Sequence, residues 1–341
     1  MQKRIENIIR KALGVFEKTT GLEGNHQAEH LNNAMYPDGL VQISHHKMQW
    51  HFVVEVKTRV TRATAGMEKL GPMNREEKVL IVTEYVTPPI ADMLKDLNIF
   101  FIDTVGNAYI NEPLLYVFIK GKKPQLPLKT EARGRLFKPS GLRVVFALLN
   151  NPEMINAPYR DIAKTADVAL GTIGWVISDL KKMGFFIEIG KRNRKLMNLK
   201  SLFKRWIEAY PEQLRPKLIT ERFETANHNW WKEINIKAYG AYWGGEVATA
   251  QLTGYLKPAR VTIYTNQPLG KLVLKNRLRK AEKGNVEILT LFWNFKYEIE
   301  DRDIVPPILV YADLMATGDN RSIEAAGIIY EKYIDRFIRE N

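Results

Sequence analysis

The hydrophobic pattern in the first third of the chain predicts β-strands packed with helices. A β-prone run at residues 49–58 places four apolar side chains at alternate positions: Trp50, Phe52, Val54 and Val56. Because successive strand side chains point to opposite faces, these four share a core face, and the intervening His51, Glu55 and Lys57 share the other. The preceding Tyr36-Pro37-Asp38-Gly39 predicts the opening of a hairpin.

The elements that follow alternate between helix and strand. Periodicity predicts a helix over 64–70, a strand over 79–85, a helix over 89–97 and a strand over 99–102. The first residues mix charges with apolar positions, as an amphipathic helix does. This order predicts a mixed sheet with flanking helices.

The middle of the chain changes to helical periods. One helix starts at Ser140 and stops before Pro152, a short helix covers 159–166, and a longer one covers 169–183. The buried face of the longer helix is predicted to hold Ile173, Val176, Ile177 and Leu180. Two β-prone runs between Gly184 and Asn198 then flank a cationic tip. Three helices followed by a hairpin indicate a winged helix-turn-helix over 140–200.

In such a module the start of the third helix enters the major groove, where small residues permit close approach and a threonine can reach a base edge or phosphate. The cationic hairpin tip holds the flanking backbone. The candidate DNA-contacting residues are Tyr159, Ala169, Gly171, Thr172, Lys181, Lys191, Arg192, Arg194 and Lys195. Winged helices also serve as dimerisation or protein-docking modules, and Trp175 suits a core position as well as a surface one. The basic tip favours DNA.

Composition agrees with a polyanionic partner. The 341 residues include 51 Lys and Arg against 38 Asp and Glu, a formal net charge of +13. Cations and prolines concentrate between Lys120 and Gly141, which is interpreted as a basic linker. The absence of cysteine excludes a disulfide scaffold, Cys-based zinc fingers and a catalytic thiol. Together with the lack of a long apolar run, it predicts a soluble cytoplasmic protein with no membrane segment.

The first third also resembles the PD-(D/E)xK nuclease core, through the literal Pro37-Asp38 and Glu55-x-Lys57. Asp38 and Glu55 are candidates to converge on a Mg²⁺ ion through oxygen ligands. Lys57 would then lie beside the ion and orient or help to deprotonate the attacking water. Glu29 is expected near the metal edge of this site. In the alternative interpretation, Asp38 is a turn residue and Glu55 and Lys57 form a solvated pair.

A second metal motif competes for the same region. His26-Gln-Ala-Glu-His30 has the His-x-x-Glu-His spacing of inverted zinc peptidases. On a helix, His26 and His30 would share a face and could ligate Zn²⁺. Gly21 and Gly24 directly precede the motif and no third ligand is evident, so the zinc interpretation is disfavoured.

The last third predicts a further α/β domain. It contains a helix over 202–210, a Gly244-Gly245 pair at a helix entry, strands over 261–265 and 286–289, and a cationic helix over 269–280. This order resembles a small nucleotidyltransferase core, but the strand after the helix lacks the paired aspartates that such an enzyme needs for Mg²⁺. Catalysis there is not expected. The glycine pair could expose backbone amides to phosphate, but close packing is favoured.

Five phrases spread along the chain resemble one family. They are Phe101-Ile-Asp-Thr-Val-Gly-Asn-Ala-Tyr109, Ala157-Pro-Tyr-Arg-Asp-Ile-Ala163, Gly171-Thr-Ile-Gly-Trp-Val176, Trp243-Gly-Gly-Glu246 and Tyr311-Ala-Asp-Leu-Met-Ala-Thr-Gly-Asp319. They resemble the AbiEi-type transcriptional regulators, the antitoxins of type IV toxin–antitoxin (abortive infection) systems. The resemblance implies a winged-helix repressor of its own operon. It also implies a nucleotidyltransferase-like toxin that is countered without a stable complex. Better-known members carry the winged helix near the N-terminus, whereas about 135 residues precede it here.

The sequence therefore predicts an α+β and α/β multidomain chain. Its domains are a nuclease-like mixed sheet at 1–119, a basic linker at 120–139, the winged helix-turn-helix at 140–200 and a C-terminal α/β antitoxin-type domain at 201–341. Two functions follow from this organisation. One is a DNA-binding regulator without turnover, and the other is a Mg²⁺-dependent DNA endonuclease targeted by the winged helix. Double-stranded DNA is the expected partner in both.

Overall fold

The computed structural model describes residues 2–27, 38–71, 78–125, 135–189, 193–297, 299 and 302–340. The chain divides into two compact units. Unit 1 comprises Met1–Thr130 with Gly318–Asn320, and unit 2 comprises Glu131–Thr317 with Arg321–Asn341. Several predicted residues lie outside the described part of the chain: Glu29, His30, Tyr36, Pro37, Lys191 and Arg192. None of the described helices is both long enough and apolar enough to cross a membrane.

Unit 1 is built on one mixed sheet. Its elements are α1 (Gln2–Thr20), β1 (Glu23–Gln27), β2 (Leu40–His45), β3 (Met48–Lys57), α2 (Arg62–Lys69), β4 (Val79–Thr83), α3 (Pro88–Asp96), β5 (Phe100–Asp103), β6 (Ala108–Glu112) and β7 (Leu115–Ile119). The seven strands lie side by side in sequence order. β1, β2 and β3 form an antiparallel meander, β3, β4 and β5 are parallel, and β6 and β7 return antiparallel. The predicted mixed sheet is confirmed.

Burial explains which strands are central. The run Val79–Thr83 is apolar at four of its five positions, and β4 is buried along almost all of it, as expected for a parallel strand covered on both faces. β3 is buried only at Phe52, Val53 and Val54, so its two ends reach the surface. Helix α1 buries a stripe at helical spacing: Ile8, Ile9, Ala12, Leu13 and Phe16.

The turn between β5 and β6 is organised by one buried carboxylate. Asp103 accepts hydrogen bonds from the backbone amides of Val86, Val105, Gly106 and Asn107 at 2.8–3.0 Å, and from Asn107 Nδ2 at 2.7 Å. Gly106 has φ +101°, which favours glycine. The Asp-Thr-Val-Gly-Asn phrase singled out in the sequence is therefore a structural turn.

Unit 2 begins with helices and continues into a second sheet. Its elements are α4 (Pro139–Asn150), α5 (Tyr159–Thr165), α6 (Leu170–Lys182), β8 (Phe186–Ile189), β9 (Asn193–Leu196), α7 (Leu199–Gln213), α8 (Arg215–Leu218), β10 (Ile219–Glu224), β11 (Ala241–Gly244), α9 (Gly245–Thr253), β12 (Val261–Thr265), α10 (Gly270–Lys275), β13 (Arg279–Lys280), β14 (Val286–Thr290), α11 (Pro307–Thr317), α12 (Asn320–Ile329) and α13 (Asp335–Glu340). The sheet order is β11-β12-β14-β10-β13, with β12 and β14 parallel and the other pairs antiparallel. Strands β8 and β9 form a separate hairpin.

One aromatic core joins the first helices of unit 2 to its C-terminal sheet. Phe146 of α4 stacks on Trp206 of α7 with ring centroids 5.3 Å apart, and it also contacts Phe292 and Trp293 after β14. Trp206 Nε1 donates to the Leu142 carbonyl at 2.9 Å. The segments 140–200 and 201–341 therefore pack into the same compact unit.

One predicted element is shorter than expected. The cationic helix predicted over 269–280 spans only Gly270–Lys275. The helix stops because Asn276 caps it and Arg277 adopts a left-handed backbone with φ +51°. Arg279 and Lys280 then pair with β10 as the short strand β13.

Candidate nucleic-acid interface and carboxylate cluster

Helix α6 buries one face and leaves its first turn exposed. Its buried residues are the four predicted from periodicity: Ile173, Val176, Ile177 and Leu180. Leu170 at its start is 52% exposed, and Gly171 is exposed. A Cβ added at Gly171 or Gly174 would meet no described atom within 4 Å. The helix therefore presents a small, uncovered surface at its beginning, where Ala169 and Thr172 also lie.

The turn between α5 and α6 is fixed by an ion pair. Asp167 has φ +51°, a left-handed conformation that non-glycine residues seldom adopt. Arg143 Nη1 donates to the Asp167 carbonyl at 3.0 Å and to Asp167 Oδ2 at 2.7 Å. These bonds hold the residue that sets the angle between the two helices.

The β8–β9 hairpin is tied to the helices by Asn156. Its Oδ1 accepts from the Arg194 amide at 2.7 Å, and its Nδ2 donates to the Arg194 carbonyl at 2.9 Å. The Arg194 guanidinium lies 5.6 Å from the ring centroid of Tyr159. Lys195 is exposed. Two of the predicted DNA-contacting residues, Arg194 of β9 and Tyr159 of α5, therefore lie together.

Lys181 occupies a different position from the other predicted DNA contacts. It lies in the last turn of α6, about 15 Å along the axis from Gly171 at the rise of an α-helix. Its Nζ pairs with Glu188 Oε2 of β8 at 2.8 Å, and this hydrogen bond lowers the pKa of the Glu188 carboxyl. Trp175 is half-buried, with the Arg135 guanidinium 5.3 Å from its ring centroid.

In unit 1, the sheet brings three of the four predicted catalytic residues together. Asp38 precedes β2, and its Oδ2 accepts from the Val56 amide at 2.8 Å. Glu55 and Lys57 lie at the end of β3 and form an ion pair. Lys57 also pairs with Glu68 Oε1 of α2 at 3.5 Å. Sequence reasoning missed Glu68, although its position one helix after the Glu-x-Lys strand was a usable signal.

The pKa of Asp38 reflects its burial and the charges of Glu55 and Lys57 beside it. Burial raises the pKa of Asp38, and the negative charge of Glu55 raises it further. The Val56 amide and the Lys57 ammonium act in the opposite direction, but they do not restore the ordinary value. The interpretation of Glu55 and Lys57 as a solvated pair is not supported, because their side chains are only 16% and 14% exposed.

The zinc-peptidase interpretation is wrong at its first residue. His26 lies on strand β1, not on a helix, so it lacks the helical spacing that the motif requires. Its Nε2 lies 3.3 Å from the Asp38 carbonyl oxygen. No cluster of three or more His, Cys, Asp or Glu side chains suited to a metal ion occurs among the described residues.

The Gly244-Gly245 pair in unit 2 is explained by close packing. A Cβ on Gly244 would lie 2.6 Å from the ring of Tyr264 and 3.1 Å from Asp313 Oδ2. Gly245 has φ +48°, and a Cβ there would lie 2.9 Å from Thr262 Oγ1. The carboxylate of Asp313 occupies the space beside the pair, which disfavours a phosphate at this place.

Asp313 belongs to a buried charge network. Its Oδ1 accepts from Arg215 Nε at 3.0 Å and from the hydroxyls of Tyr210 and Tyr264 at 3.1 and 3.0 Å. Arg215 also donates to Glu287 Oε2 at 2.6 Å. Burial raises the pKa of Asp313 despite Arg215 and the tyrosines. Burial also acts to raise the pKa of Glu287, but Arg215 and Arg222 outweigh it and hold that pKa below its ordinary value.

Comparisons with known proteins bear on unit 2. Residues 195–335 match the family model described as "Transcriptional regulator, AbiEi antitoxin, Type IV TA system". No curated protein and no solved structure matches the chain. The match agrees with the resemblance seen in the sequence, and it contains two of the five phrases, Trp243-Gly-Gly-Glu246 and Tyr311-Ala-Asp-Leu-Met-Ala-Thr-Gly-Asp319. The matched segment contains the Gly244-Gly245 pair and the Asp313 network, and unit 1 lies outside it apart from Gly318–Asn320.

Proposed function

We propose that this chain is a DNA-binding transcriptional regulator of the type IV antitoxin kind, whose residues 140–200 form a winged helix-turn-helix that binds operator DNA. The observation that carries the proposal is the uncovered first turn of α6. The first turn of a recognition helix needs small, accessible side chains, and its opposite face must be packed against the domain. Ala169, Gly171 and Thr172 provide such a first turn, and the opposite face of α6 is buried.

Two further features support a groove-binding role. The B-DNA major groove is about 12 Å wide, which admits one helix with short side chains at its tip. The Asn156 and Tyr159 contacts hold the hairpin against the start of α5, and its cations Arg194 and Lys195 suit backbone phosphates. Lys181 is assigned a lesser part, because it already pairs with Glu188.

The partner follows from the same family. A type IV antitoxin regulator acts together with a toxin, which the resemblance identifies as nucleotidyltransferase-like and not stably bound. Operator binding by the antitoxin would then set the expression of both genes. Loss of DNA binding should raise expression from the chain's own promoter without changing the folded state of unit 2.

The test compares two identical substitutions at two open glycines. Gly171→Glu places an acid in the first turn of α6, and the control Gly270→Glu places one in the first turn of α10. Both sites lack described neighbours within 4 Å, so both variants should fold. The probe is a fluorescent duplex from the region directly upstream of the gene, titrated by anisotropy. Gly171→Glu should weaken binding about tenfold or more, because its carboxylate meets the DNA phosphates. Equal affinity of the two variants would refute the proposed interface.

A second candidate function is favoured by the carboxylate cluster. We propose as the alternative that unit 1 is a Mg²⁺-dependent DNA endonuclease of the PD-(D/E)xK type. The order α1-β1-β2-β3-α2-β4 puts Asp38, Glu55 and Lys57 at one end of the sheet, as that site requires. Mg²⁺ is commonly held by one or two carboxylates together with waters and phosphate oxygens, so Asp38 and Glu55 fit it. The pKa of Asp38 is raised mainly by burial and also by the charge of Glu55, and a bound cation would favour the charged form of both carboxylates.

In this alternative, Asp38 and Glu55 would hold the ion, which would supply Lewis-acid stabilisation at the phosphate. Lys57 would orient a water molecule, and Glu68 would keep its ammonium in place. The test incubates the protein with duplex and single-stranded DNA and Mg²⁺ or Mn²⁺. Cleavage that Lys57→Ala abolishes and the exposed control Lys69→Ala retains would establish the nuclease. Binding of DNA without any metal-dependent cleavage by the wild type would exclude it.

A further inference from the structure

A cleft of about 330 Å³ lies in unit 2 beside the uncovered start of α6. It is lined from three directions, by the beginning of α4, by the α5–α6 turn with the first turn of α6, and by α8. Ala169 and Thr172 line it, so the cleft borders the helix end that is proposed to enter the major groove. Helix α8 lies outside the predicted winged-helix segment and within the family match.

The charged groups of the cleft leave a net positive charge. Arg143 and Asp167 form a pair, which is neutral, and Lys217 of α8 adds one cation. Lys217 is exposed and makes no ion pair within the described part of the chain. Both described hydrogen bonds of the Arg143 side chain come from Nη1, so its other guanidinium donors can serve a further acceptor. The hydroxyls of Ser140 and Thr172 complete the polar lining.

We infer that this cleft takes a phosphate group of the DNA backbone, and that Lys217 gives the C-terminal region a direct contact with DNA. The inference rests on the proposed DNA-binding function and extends its interface beyond residue 200. A helix end inside the major groove has backbone phosphates on both sides of it, and the cleft lies at its side. The Lys217 ammonium, placed at a phosphate oxygen, would release condensed counterions from the DNA, and this release is the main source of sequence-independent affinity.

Asp167 is the one acidic group in the lining, and its position is compatible with the inference. Its Oδ2 is neutralised by Arg143 Nη1 at 2.7 Å, and its backbone conformation serves the helix turn. A carboxylate without such a partner would repel a phosphate, whereas a paired one lowers the affinity only modestly. Lys217 therefore decides the sign of the local charge.

The size of the effect follows from counterion release. One phosphate contact contributes about 0.9 to the slope of log affinity against log salt. If the contact contributes nothing at about 1 M salt, it increases the affinity about fivefold at about 0.15 M salt and about 15-fold at about 0.05 M salt. Lys217→Ala should therefore weaken binding by these factors, equally for the upstream duplex and for a scrambled duplex of the same composition, and should lower the slope by about 0.9.

The matched control is Lys271→Ala. Lys271 is an exposed cation on α10 in the same unit, without an ion pair among the described residues, so its removal changes the net charge equally. The DNA affinity of Lys271→Ala should stay within about twofold of the wild type, because salt largely screens a charge that does not contact the DNA. Equal losses in Lys217→Ala and Lys271→Ala would overturn the inference, because they would assign the effect to net charge alone.

The DNA phosphate that Lys217 contacts can be identified by neutralising the phosphates of the duplex one at a time. Each duplex carries a single methylphosphonate, and each is titrated with the wild type and with Lys217→Ala. At one phosphate per site the wild type should lose affinity while the variant loses none. Losses that are the same for both proteins at every position would refute the contact. The failure of the proposed function is distinct from this outcome, since it would show as equal binding by Gly171→Glu and Gly270→Glu.

Discussion

Replacing Arg215 by methionine should destabilise unit 2 strongly, because it removes the cation that serves two buried carboxylates. Arg215 Nε lies 3.0 Å from Asp313 Oδ1, and Arg215 Nη2 lies 2.6 Å from Glu287 Oε2. The Asp313 side chain is 1% exposed and the Glu287 side chain is 7% exposed. The two carboxylates are therefore largely shielded from bulk water and depend on the guanidinium for their compensating charge.

The expected cost can be bracketed. At an effective dielectric constant of about 20, a pair of unit charges about 3 Å apart interacts by about 5 kcal/mol. Desolvation of the arginine offsets part of this, and removal of one partner from a buried pair typically costs about 3–5 kcal/mol. We expect about 4 kcal/mol for Arg215→Met. The control Arg205→Met loses the contacts of an exposed guanidinium with the rings of Phe137 and Phe185, which are worth about 0.5–1 kcal/mol, and a weak hydrogen bond to the sulfur of Met183.

The assay is urea unfolding followed by tryptophan fluorescence. Six of the seven tryptophans belong to unit 2, and a Trp50→Phe background removes the one in unit 1. The midpoint of Arg215→Met should fall far below that of Arg205→Met. Similar midpoints for the two variants would show that the buried network contributes little to stability.

The pH dependence provides the sharper test. In the wild type the pKa of Glu287 is lowered, so its stabilisation is present above the unfolded value of 4.5 and is lost as the pH falls. Without Arg215 the pKa of Glu287 should rise above its unfolded value, and the pKa of Asp313, which burial already raises in the wild type, should rise further. The variant should therefore gain stability relative to the wild type as the pH falls through that window. The gap between wild type and variant should therefore narrow from pH 7 to pH 5. A gap that is constant over this range would refute the electrostatic explanation.

Three further substitutions have clear expected outcomes. Gly171→Ala should raise the unfolding free energy by about 0.5–1 kcal/mol, through better helix propensity at an open site, while lowering DNA affinity in the anisotropy assay. Gly244→Ala should lower the unfolding free energy of unit 2 by about 1–3 kcal/mol, because its Cβ would meet the ring of Tyr264, whereas Gly14→Ala at an open helical site should not destabilise unit 1. Asp103→Ala leaves five N–H donors without their acceptor and should destabilise unit 1 by about 3 kcal/mol or more, against less than about 1 kcal/mol for the exposed Asp92→Ala, both measured by thermal melting with circular dichroism.

The elements that sequence predicted well are those with a strong local period. The buried stripe of α6 depends on residues a few positions apart, and it was found at its predicted place. On β3 only Phe52 and Val54 of the four predicted core residues are buried, and Val53 on the opposite face is buried as well. Helix α10 was predicted too long because the pattern of cations continues past Asn276, whereas the left-handed backbone of Arg277 ends the helix. Periodicity describes which face is buried and carries little information about where a helix stops.

The contacts that sequence could not predict join residues far apart in the chain. Arg215 meets Asp313 across 98 positions and Glu287 across 72. Asn156 meets Arg194 across 38. One local signal was available, since Asp313 is the single charged residue of the otherwise apolar helix α11. A buried acid in such a helix requires a cationic or hydrogen-bonding partner, although its identity cannot be read from the pattern.

The packing of unit 2 gives a physical reason for treating the predicted DNA-binding segment and the antitoxin-family segment together. Phe146 and Trp206 stack across the sequence boundary at residue 200, and the Arg215 network fixes the start of α8 against β14 and α11. Lys217 lies two residues after Arg215 on the same helix, so its backbone is held in place as well. A cation on a rigid element loses little side-chain and backbone freedom when it meets a phosphate, so the buried network and the surface contact should be coupled. Arg215→Met, assayed under conditions where it is still folded, should therefore weaken DNA binding in the same sequence-independent way as Lys217→Ala, and the double variant should lose less than the sum of the two.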